Sequence, residues 1–400
     1  MHIAMLVFNQ PGKGTYWRAY YLARELCQRG MRVTIISTAP TERWRFRTRF
    51  EQGGRLALVE APDMLPGSMR SGWDVWASIA RTVWMHMGQF DLIHAFECRP
   101  SVIAPALHHQ FWRRIPLVID WCDWFGRGGS VEERPDGIQK TLLRPAETFF
   151  EQRFRTWADA TTVISPFLGQ KAQALGVPTE QIALVPNGCD TDGWDLAEPQ
   201  AERAALGLPA EAPLVGYVGA IFRRDADLMA QAFDAIRQRR PDARLLVLGY
   251  CNVAIEQLVQ HPEAVIRTGG LDEPTLRRYL RACTLGWVPL CDSGANRGRW
   301  PLKISTYMAA GIPFLTTSIG DLGAFAQRYP AGLAVAPAPQ ALADAALGLI
   351  DSPAQAAAMG QLGRSLAEGE LSWASVANTV YGVYNKLESA KIQRTKQNKV

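Results

Sequence analysis

The sequence predicts an α/β protein built from two parallel sheets, each covered by helices. Two observations carry the prediction. Short apolar runs alternate with longer helical segments through most of the 400 residues, the pattern of strands joined by helical crossovers. The alternation also runs through twice, in consecutive series of similar size without a detectable repeat, so one sheet does not account for the chain. Apolar residues make up 48% and charged residues 20%, ordinary values for a globular chain with a sizeable core. At about 150 residues per domain, the length suits two or three.

The first series opens with a strand at 2–9. A Pro11-Gly12-Lys13-Gly14-Thr15 loop follows, then a helix at 17–29 that Gly30 stops, then a strand at 32–37. Further strands fall at 56–60, 92–95, 117–120, 161–165 and 182–185, with a long helix over 139–157. After a charged, alanine-rich stretch, the second series begins with a strand at 214–219 and a helix at 227–239. Strands at 244–249, 265–268, 285–289 and 314–316 continue it, with helices at 253–260, 273–282, 340–351 and 353–368. Trp373 starts a last helix through Leu387. Two such series imply two Rossmann-like domains, which bind ligands outside the carboxyl ends of their strands and hence toward a cleft. The expected boundaries are 1–190 for the first domain, a linker near 188–198, 198–372 for the second, and a basic flexible tail at 391–400.

Several classes are excluded. No apolar run reaches the ~18 residues of a membrane span. The N-terminus is apolar at once, without a basic leader, and reads as a strand rather than a signal peptide. A net charge of +5 is too small to imply nucleic acid. Seven scattered cysteines without a C-x-x-C pair point to reduced thiols in the cytoplasm, not to disulfides or zinc. Arg43, Arg45, Arg47 and Arg49 alternate with Trp44, Phe46 and Phe50, and Trp73, Trp76, Trp84 and Phe111-Trp112-Arg113-Arg114 lie nearby in sequence. The spacing at 43–50 reads first as a strand edge with a solvated face; an anionic membrane surface is the other use.

The chemistry-bearing segments sit between strands and helices. The glycines at 12 and 14 permit a tight turn and a close approach to an anion or sugar. The loop is neither a Walker A motif nor a dinucleotide fingerprint, since Trp17 stands where a third glycine belongs. Val185-Pro186-Asn187-Gly188-Cys189-Asp190 is a turn after a strand. Gly219-Ala220-Ile221-Phe222-Arg223-Arg224 ends the first strand of the second series. Arginines there suit phosphate oxygens, or are simply solvated. The loop Cys291-Asp292-Ser293-Gly294-Ala295-Asn296-Arg297-Gly298-Arg299-Trp300-Pro301-Leu302-Lys303 opens a helix whose free N–H groups and dipole also suit a phosphate. The run Thr306-Tyr307-Met308-Ala309-Ala310-Gly311-Ile312-Pro313 closes that helix, and Thr316-Thr317 follows on the next strand. In the first series, His94, Asp120, Asp123 and Trp124 lie at strand ends, where carboxylates and aromatics suit a sugar and where loop capping is the structural use.

Taken together, these segments resemble the retaining GT-B glycosyltransferases of family 4, over nearly the whole chain. The resemblance implies a GT-B fold with two Rossmann-like domains, the last helix at about 374–390 completing the first. It implies transfer of a sugar from a nucleoside-diphosphate sugar, bound by the second domain, to a glycan or lipid-linked acceptor on the first, without a metal or other cofactor. Arg224, Lys303 and Asp120 are then the expected catalytic residues. Gly12, Gly14, Gly219, Arg223, Asn296, Arg299, Pro301, Leu302, Thr306 and Thr317 would bind the donor, and His94, Asp123 and Trp124 the acceptor.

The chain departs from the family pattern in three places. Ala220 replaces an arginine, and Gly298 and Thr306 stand where the family carries glutamates, the second of which accepts from the ribose hydroxyls. Asp292 is the nearest loop carboxylate. The departure keeps open a GT-B-shaped binding or partner subunit, and the fold also admits a nucleotide-sugar epimerase. An envelope or exported glycan as product, and a cytoplasmic location with peripheral contact at the inner membrane face, complete the expectation.

Overall fold

The computed structural model describes residues 1–397, and the chain separates into two compact units. The first is Met1–Asn187 together with the chain from Trp373; the second is Gly188–Ser372. Residues 188–197, expected as a linker, belong to the second unit. The Cys189 N–H donates to the Leu371 carbonyl at 2.7 Å, and Arg281 donates to the Ala197 carbonyl at 3.0 Å, which ties the segment down.

In the first unit the strands are β1 (His2–Val7), β2 (Arg32–Thr38), β3 (Arg47–Glu51), β4 (Leu56–Ala61), β5 (Leu92–Phe96), β6 (Leu117–Trp121), β7 (Ala160–Val163) and β8 (Ile182–Leu184). They form one sheet in the order β3-β4-β2-β1-β5-β6-β7-β8, parallel except for β3, which runs antiparallel along β4. The arginines at 47 and 49 are therefore an exposed strand edge. The helices are α1 (Thr15–Gln28), α2 (Val75–His86), α3 (Pro100–Arg113), α4 (Ile138–Arg153) and α5 (Pro166–Ala174). Register sets Val7 beside Phe96 and Phe96 beside Asp120. The carboxyl ends of β1, β5 and β6 therefore line up, and the 11–15 loop, Glu97 and Cys122–Trp124 emerge together.

The second unit holds α6 (Pro199–Leu206), β9 (Leu214–Val218), α7 (Arg223–Arg239), β10 (Arg244–Leu248), β11 (Val265–Gly269), α8 (Glu273–Ala282), β12 (Leu285–Val288), α9 (Gly294–Arg297), α10 (Leu302–Ala309), β13 (Phe314–Thr317), α11 (Leu322–Arg328), β14 (Gly332–Val335), α12 (Pro339–Ile350) and α13 (Pro353–Glu368). Its six strands are parallel in the order β11-β10-β9-β12-β13-β14. Alternate strand residues feed opposite faces: Val215, Tyr217, Leu245, Val247 and Trp287 one, Leu214, Leu246, Leu248, Val288 and Phe314 the other. A sheet buried on both sides explains why these strands read as continuous apolar runs.

Three expectations need correction. No α-helix covers 253–260; only a 3₁₀ turn at Ile255–Gln257 forms. The segment is short, Asn252 is tied at both ends of its amide to Ile221, and nucleating a helix for so few residues is unfavourable. Helix α7 starts at Arg223, four residues early, with Asp225 in its first turn, where a carboxylate suits the dipole. Finally, α14 (Trp373–Gln397) runs well past Leu387, so most of the basic tail is helical; residues 398–400 lie outside the described residues. Tyr21 of α1 stacks on Trp373 with ring centroids 5.4 Å apart, which anchors α14 to the first unit.

Candidate functional site

In the second unit, three segments converge beyond β9 and β12. Gly219 has a φ of +81°, and a Cβ added there would meet nothing within 4 Å. The backbone is therefore both glycine-dependent and open to approach. Lys303, on the first turn of α10, donates to the Ala220 carbonyl at 3.1 Å and lies 5.1 Å from the centre of the Tyr217 ring. Burial, assisted by the neighbouring Arg299, lowers its pKa to about 8. Arg299 packs over the Phe222 ring at 4.8 Å. Arg223 and Arg224 are exposed on the first turn of α7, where the helix dipole disfavours a cation and favours an anion beside it. Arg223 pairs with Asp227 at 2.9 Å, while the Arg224 guanidinium has no ion-pair partner among the described residues.

Asp225 organises this region, and its role is not legible in the sequence. The carboxylate is buried. One oxygen accepts from the Cys291 N–H and from Asn296 Nδ2, both at 2.8 Å; the other accepts from Arg299 at 3.2 Å. One side chain on α7 thus holds the whole 291–299 loop. Asn296 Oδ1 and Arg299 Nε are buried without a hydrogen-bond partner among the described residues, which costs about 1–3 kcal/mol each unless a ligand satisfies them. Asp292 does not fold back: both its oxygens take Arg297 at 2.7 Å.

Helix α10 is held from below and behind. The Tyr307 hydroxyl donates toward the Trp287 carbonyl at 3.1 Å and the Gly216 carbonyl at 3.3 Å. A Cβ at Gly286 would lie 2.3 Å from the Tyr307 ring. Arg364 and Arg281 cap the last carbonyls, Ala309 and Ala310, at 2.6 and 2.7 Å. The small residues at this end admit α13: a Cβ at Gly360 would strike the Gly311 carbonyl at 2.3 Å. They serve helix packing rather than a ligand. The N-terminus has Pro301 as N-cap and Leu302 half-buried behind it; the Ile304 N–H turns back to the Pro301 carbonyl, while the Leu302 and Lys303 N–H groups have no partner among the described residues. Thr306 is half-buried and donates its hydroxyl to the Leu302 carbonyl at 3.1 Å, so toward a ligand its oxygen is left as an acceptor. Thr317 is a correction. It is fully buried and bonds the Leu290 carbonyl and N–H at 2.7 and 3.2 Å, which fastens the chain just past β12 to the end of β13.

In the first unit, Gly14 has a φ of +52°, and a Cβ there would lie 2.8 Å from the Asn9 side chain. Gly12 also has a positive φ, and its carbonyl accepts from the Trp17 indole at 2.8 Å. The residue that breaks the dinucleotide pattern thus closes the loop. Asp120 and His94 are corrections. Asp120 is fully buried and takes Arg18 through both oxygens at 2.9 Å, with Thr162 at 2.5 Å. Burial opposes its ionisation, but Arg18 outweighs it and holds the carboxyl below its ordinary pKa. Arg18 also donates to the Val185 and Pro186 carbonyls and to Asn187, so the pair ties α1 to the Pro-Asn-Gly turn. His94 is fully buried between Tyr384, at 2.6 Å, and Thr162, at 3.2 Å, and burial lowers its pKa to about 4. It is a neutral core residue that binds α14. Both side chains are occupied by core partners, Asp120 by Arg18 of α1 and His94 by Tyr384 of α14, with Thr162 of β7 bonded to each.

Trp124 is half-buried with the Lys171 ammonium 3.5 Å from its ring centre, and Gly128 and Gly129 pack against it, so its ring is largely engaged. Asp123 is half-buried at the surface. Two carboxylates beneath it were missed. Glu97, at a φ of 70°, accepts from the Cys122 and Asp123 N–H groups and pairs with Arg155 at 3.1 Å. Glu151 accepts from the Phe125 and Gly126 N–H groups, and burial raises its pKa to about 7. Glu97 directly follows β5, a position that could have marked it; Glu151 sits in the last turn of α4 without a signal.

Two parallel-sheet α/β units with a phosphate-suited helix start in the second define the GT-B class of glycosyltransferase. Residues 13–188 match the model of the glycosyl transferase 4-like domain and residues 212–352 that of glycosyl transferases group 1. The chain belongs to this glycosyltransferase family and has the GT-B fold. It is 24% identical to an MMP α-(1→4)-mannosyltransferase of Mycolicibacterium hassiacum, over 96% of this chain and 98% of that one. Among solved structures, sucrose-phosphate synthase from Thermosynechococcus elongatus superposes with a TM-score of 0.77 at 21% identity, covering 98% of this chain and 100% of that one. Anabaena HepE in complex with UDP-glucose gives 0.67 at 16% identity, covering 97% and 100%. These likenesses establish the fold.

Proposed function

We propose that the protein transfers a sugar from a nucleoside-diphosphate sugar to a glycan or lipid-linked acceptor, with retention and without a metal ion. The observation that carries this reading is Lys303 held against Ala220, next to the open Gly219 backbone, with Arg299 beside it at the start of α10 and Arg224 exposed on the first turn of α7. That constellation suits a diphosphate. The cations and helix termini take up charge as it develops on the leaving group, the role a metal ion fills elsewhere. Arg299 Nε would gain a phosphate oxygen, and Asn296 Oδ1, an acceptor, a sugar or ribose hydroxyl, when a nucleoside-diphosphate sugar binds. The solved relative holding UDP-glucose supports the donor class. Asp123 is the carboxylate best placed for an acceptor hydroxyl in the first unit. The product is an envelope or exported glycan assembled on the cytoplasmic side.

A non-catalytic binding subunit remains the rival, favoured by Thr306 and Gly298 standing in place of glutamates. A thermal-shift series with UDP-, GDP- and ADP-sugars and their free diphosphates, with chelator present, tests the donor site. One nucleotide raises the melting temperature by mass action; no shift at millimolar concentration removes the transferase reading. Acceptor-dependent release of nucleoside diphosphate then separates transfer from epimerisation, and the anomeric configuration of the product tests retention.

A further inference from the structure

We propose that the outward face of α2 docks the first unit on an anionic lipid surface. Val75, Ile79, Val83 and Met87 recur at every fourth position along and just beyond the helix, and each is more than half exposed. They form one apolar stripe about 18 Å long. Trp44 and Trp112, also more than half exposed, extend it at its two ends. At the start, the Trp76 indole donates to the Arg43 carbonyl at 3.3 Å, and its ring meets Trp44 with centroids 6.1 Å apart. At the far end, His86 touches His108 at 2.9 Å, and His108 stacks on Trp112. A soluble helix normally turns such a stripe into the core; here α2 has a second stripe outward.

The charge at both ends says what covers it. Arg43 and Arg45 are exposed at the start, and their guanidinium groups have no ion-pair partner among the described residues. Arg113 and Arg114 are exposed at the far end, Arg113 capping the His86 and Gly88 carbonyls. The adjoining carboxylates are occupied. Glu42 takes the N–H groups of Arg43 and Trp44 and the Arg47 guanidinium, and Asp74 caps α2. A second copy packed through this face would bring arginine ends together, since a two-fold contact repeats the same patch. An anionic bilayer meets both features, apolar side chains entering the interface and arginines meeting lipid phosphates, with tryptophans at its edge. No helix among the described residues is long and apolar enough to cross a membrane, so this is a contact on the surface.

The contact does not rest on the donor-site reading. The test is flotation of the full chain with vesicles of phosphatidylcholine alone and of phosphatidylcholine with phosphatidylglycerol. Binding is expected only with phosphatidylglycerol, weakening with salt. Arg43→Ser and Arg45→Ser should each weaken it by about fivefold, and Ile79→Glu with Val83→Glu by more than about tenfold. All four positions are exposed, so melting temperatures and any nucleotide-induced shift should match the parent. No binding to phosphatidylglycerol vesicles, or binding that survives the Ile79→Glu, Val83→Glu change, overturns the proposal. So does a concentration-dependent dimer in light scattering that the same change abolishes, since the face would then serve a second copy.

Discussion

Replacing Asp225 with alanine removes the group that holds the 291–299 loop against α7. The carboxylate accepts from the Cys291 N–H and Asn296 Nδ2 at 2.8 Å and from Arg299 at 3.2 Å, and it is itself buried. Two charge-assisted bonds are worth roughly 1.5–3 kcal/mol each. The half-exposed ion pair to Arg299 adds no more than about 1 kcal/mol after screening. The losses overlap, because the freed groups gain some water, so a net cost of about 4 kcal/mol is expected. For a unit of this size 1 kcal/mol moves the melting temperature by about 2–4 °C, which puts the fall on the order of 10 °C. Asp227→Ala is the control: it breaks only the exposed pair to Arg223, worth about 0.5 kcal/mol or less. Calorimetry gives the primary readout. Alkylation of Cys291, the one cysteine that is not buried, gives the second and should accelerate when the loop loosens. If Asp225→Ala melts within about 2 °C of Asp227→Ala, with unchanged Cys291 reactivity, the loop is not held as described.

Other outcomes follow from the same geometry. Lys303 loses its proton above about pH 8, so diphosphate affinity should fall by up to about tenfold per pH unit beyond that point, and Lys303→Met should flatten the profile in an isothermal titration series. Thr306→Glu restores a carboxylate where a ribose hydroxyl is expected, and should tighten nucleoside-diphosphate binding by about 1–2 kcal/mol; a loss of binding would place the ribose elsewhere. Glu151 has its pKa raised from 4.5 to about 7 by burial, so its neutral form favours the fold. That contribution is complete below pH 4.5 and is lost as pH climbs through 7, so the parent should lose roughly 3 kcal/mol relative to Glu151→Gln across this window in urea titrations. Tyr384→Phe strands the buried His94 nitrogen, should cost about 1–3 kcal/mol, and should speed amide exchange in α14.

What local chemistry controls was legible in the chain itself. Apolar runs such as 244–248 and 285–288 announce buried parallel strands because both faces of the sheet are covered. Glycines 14 and 219 mark positive-φ turns, and Pro301-Leu302-Lys303 marks a helix start that offers a cation with its dipole. The family, and hence the GT-B fold, followed from such segments in order. The tertiary structure decided which polar groups are spent on holding the fold. His94 meets Tyr384 across 290 positions and Asp120 meets Arg18 across 102; at strand ends both resemble ligand-facing residues until the partner helix is placed. Asp225 falls just before the helix expected at 227–239, and nothing near it in sequence shows the Cys291 N–H and Arg299, 66 and 74 positions away. The outward stripe on α2 was hidden for the complementary reason: periodicity shows that a face is apolar, and only packing shows whether anything covers it.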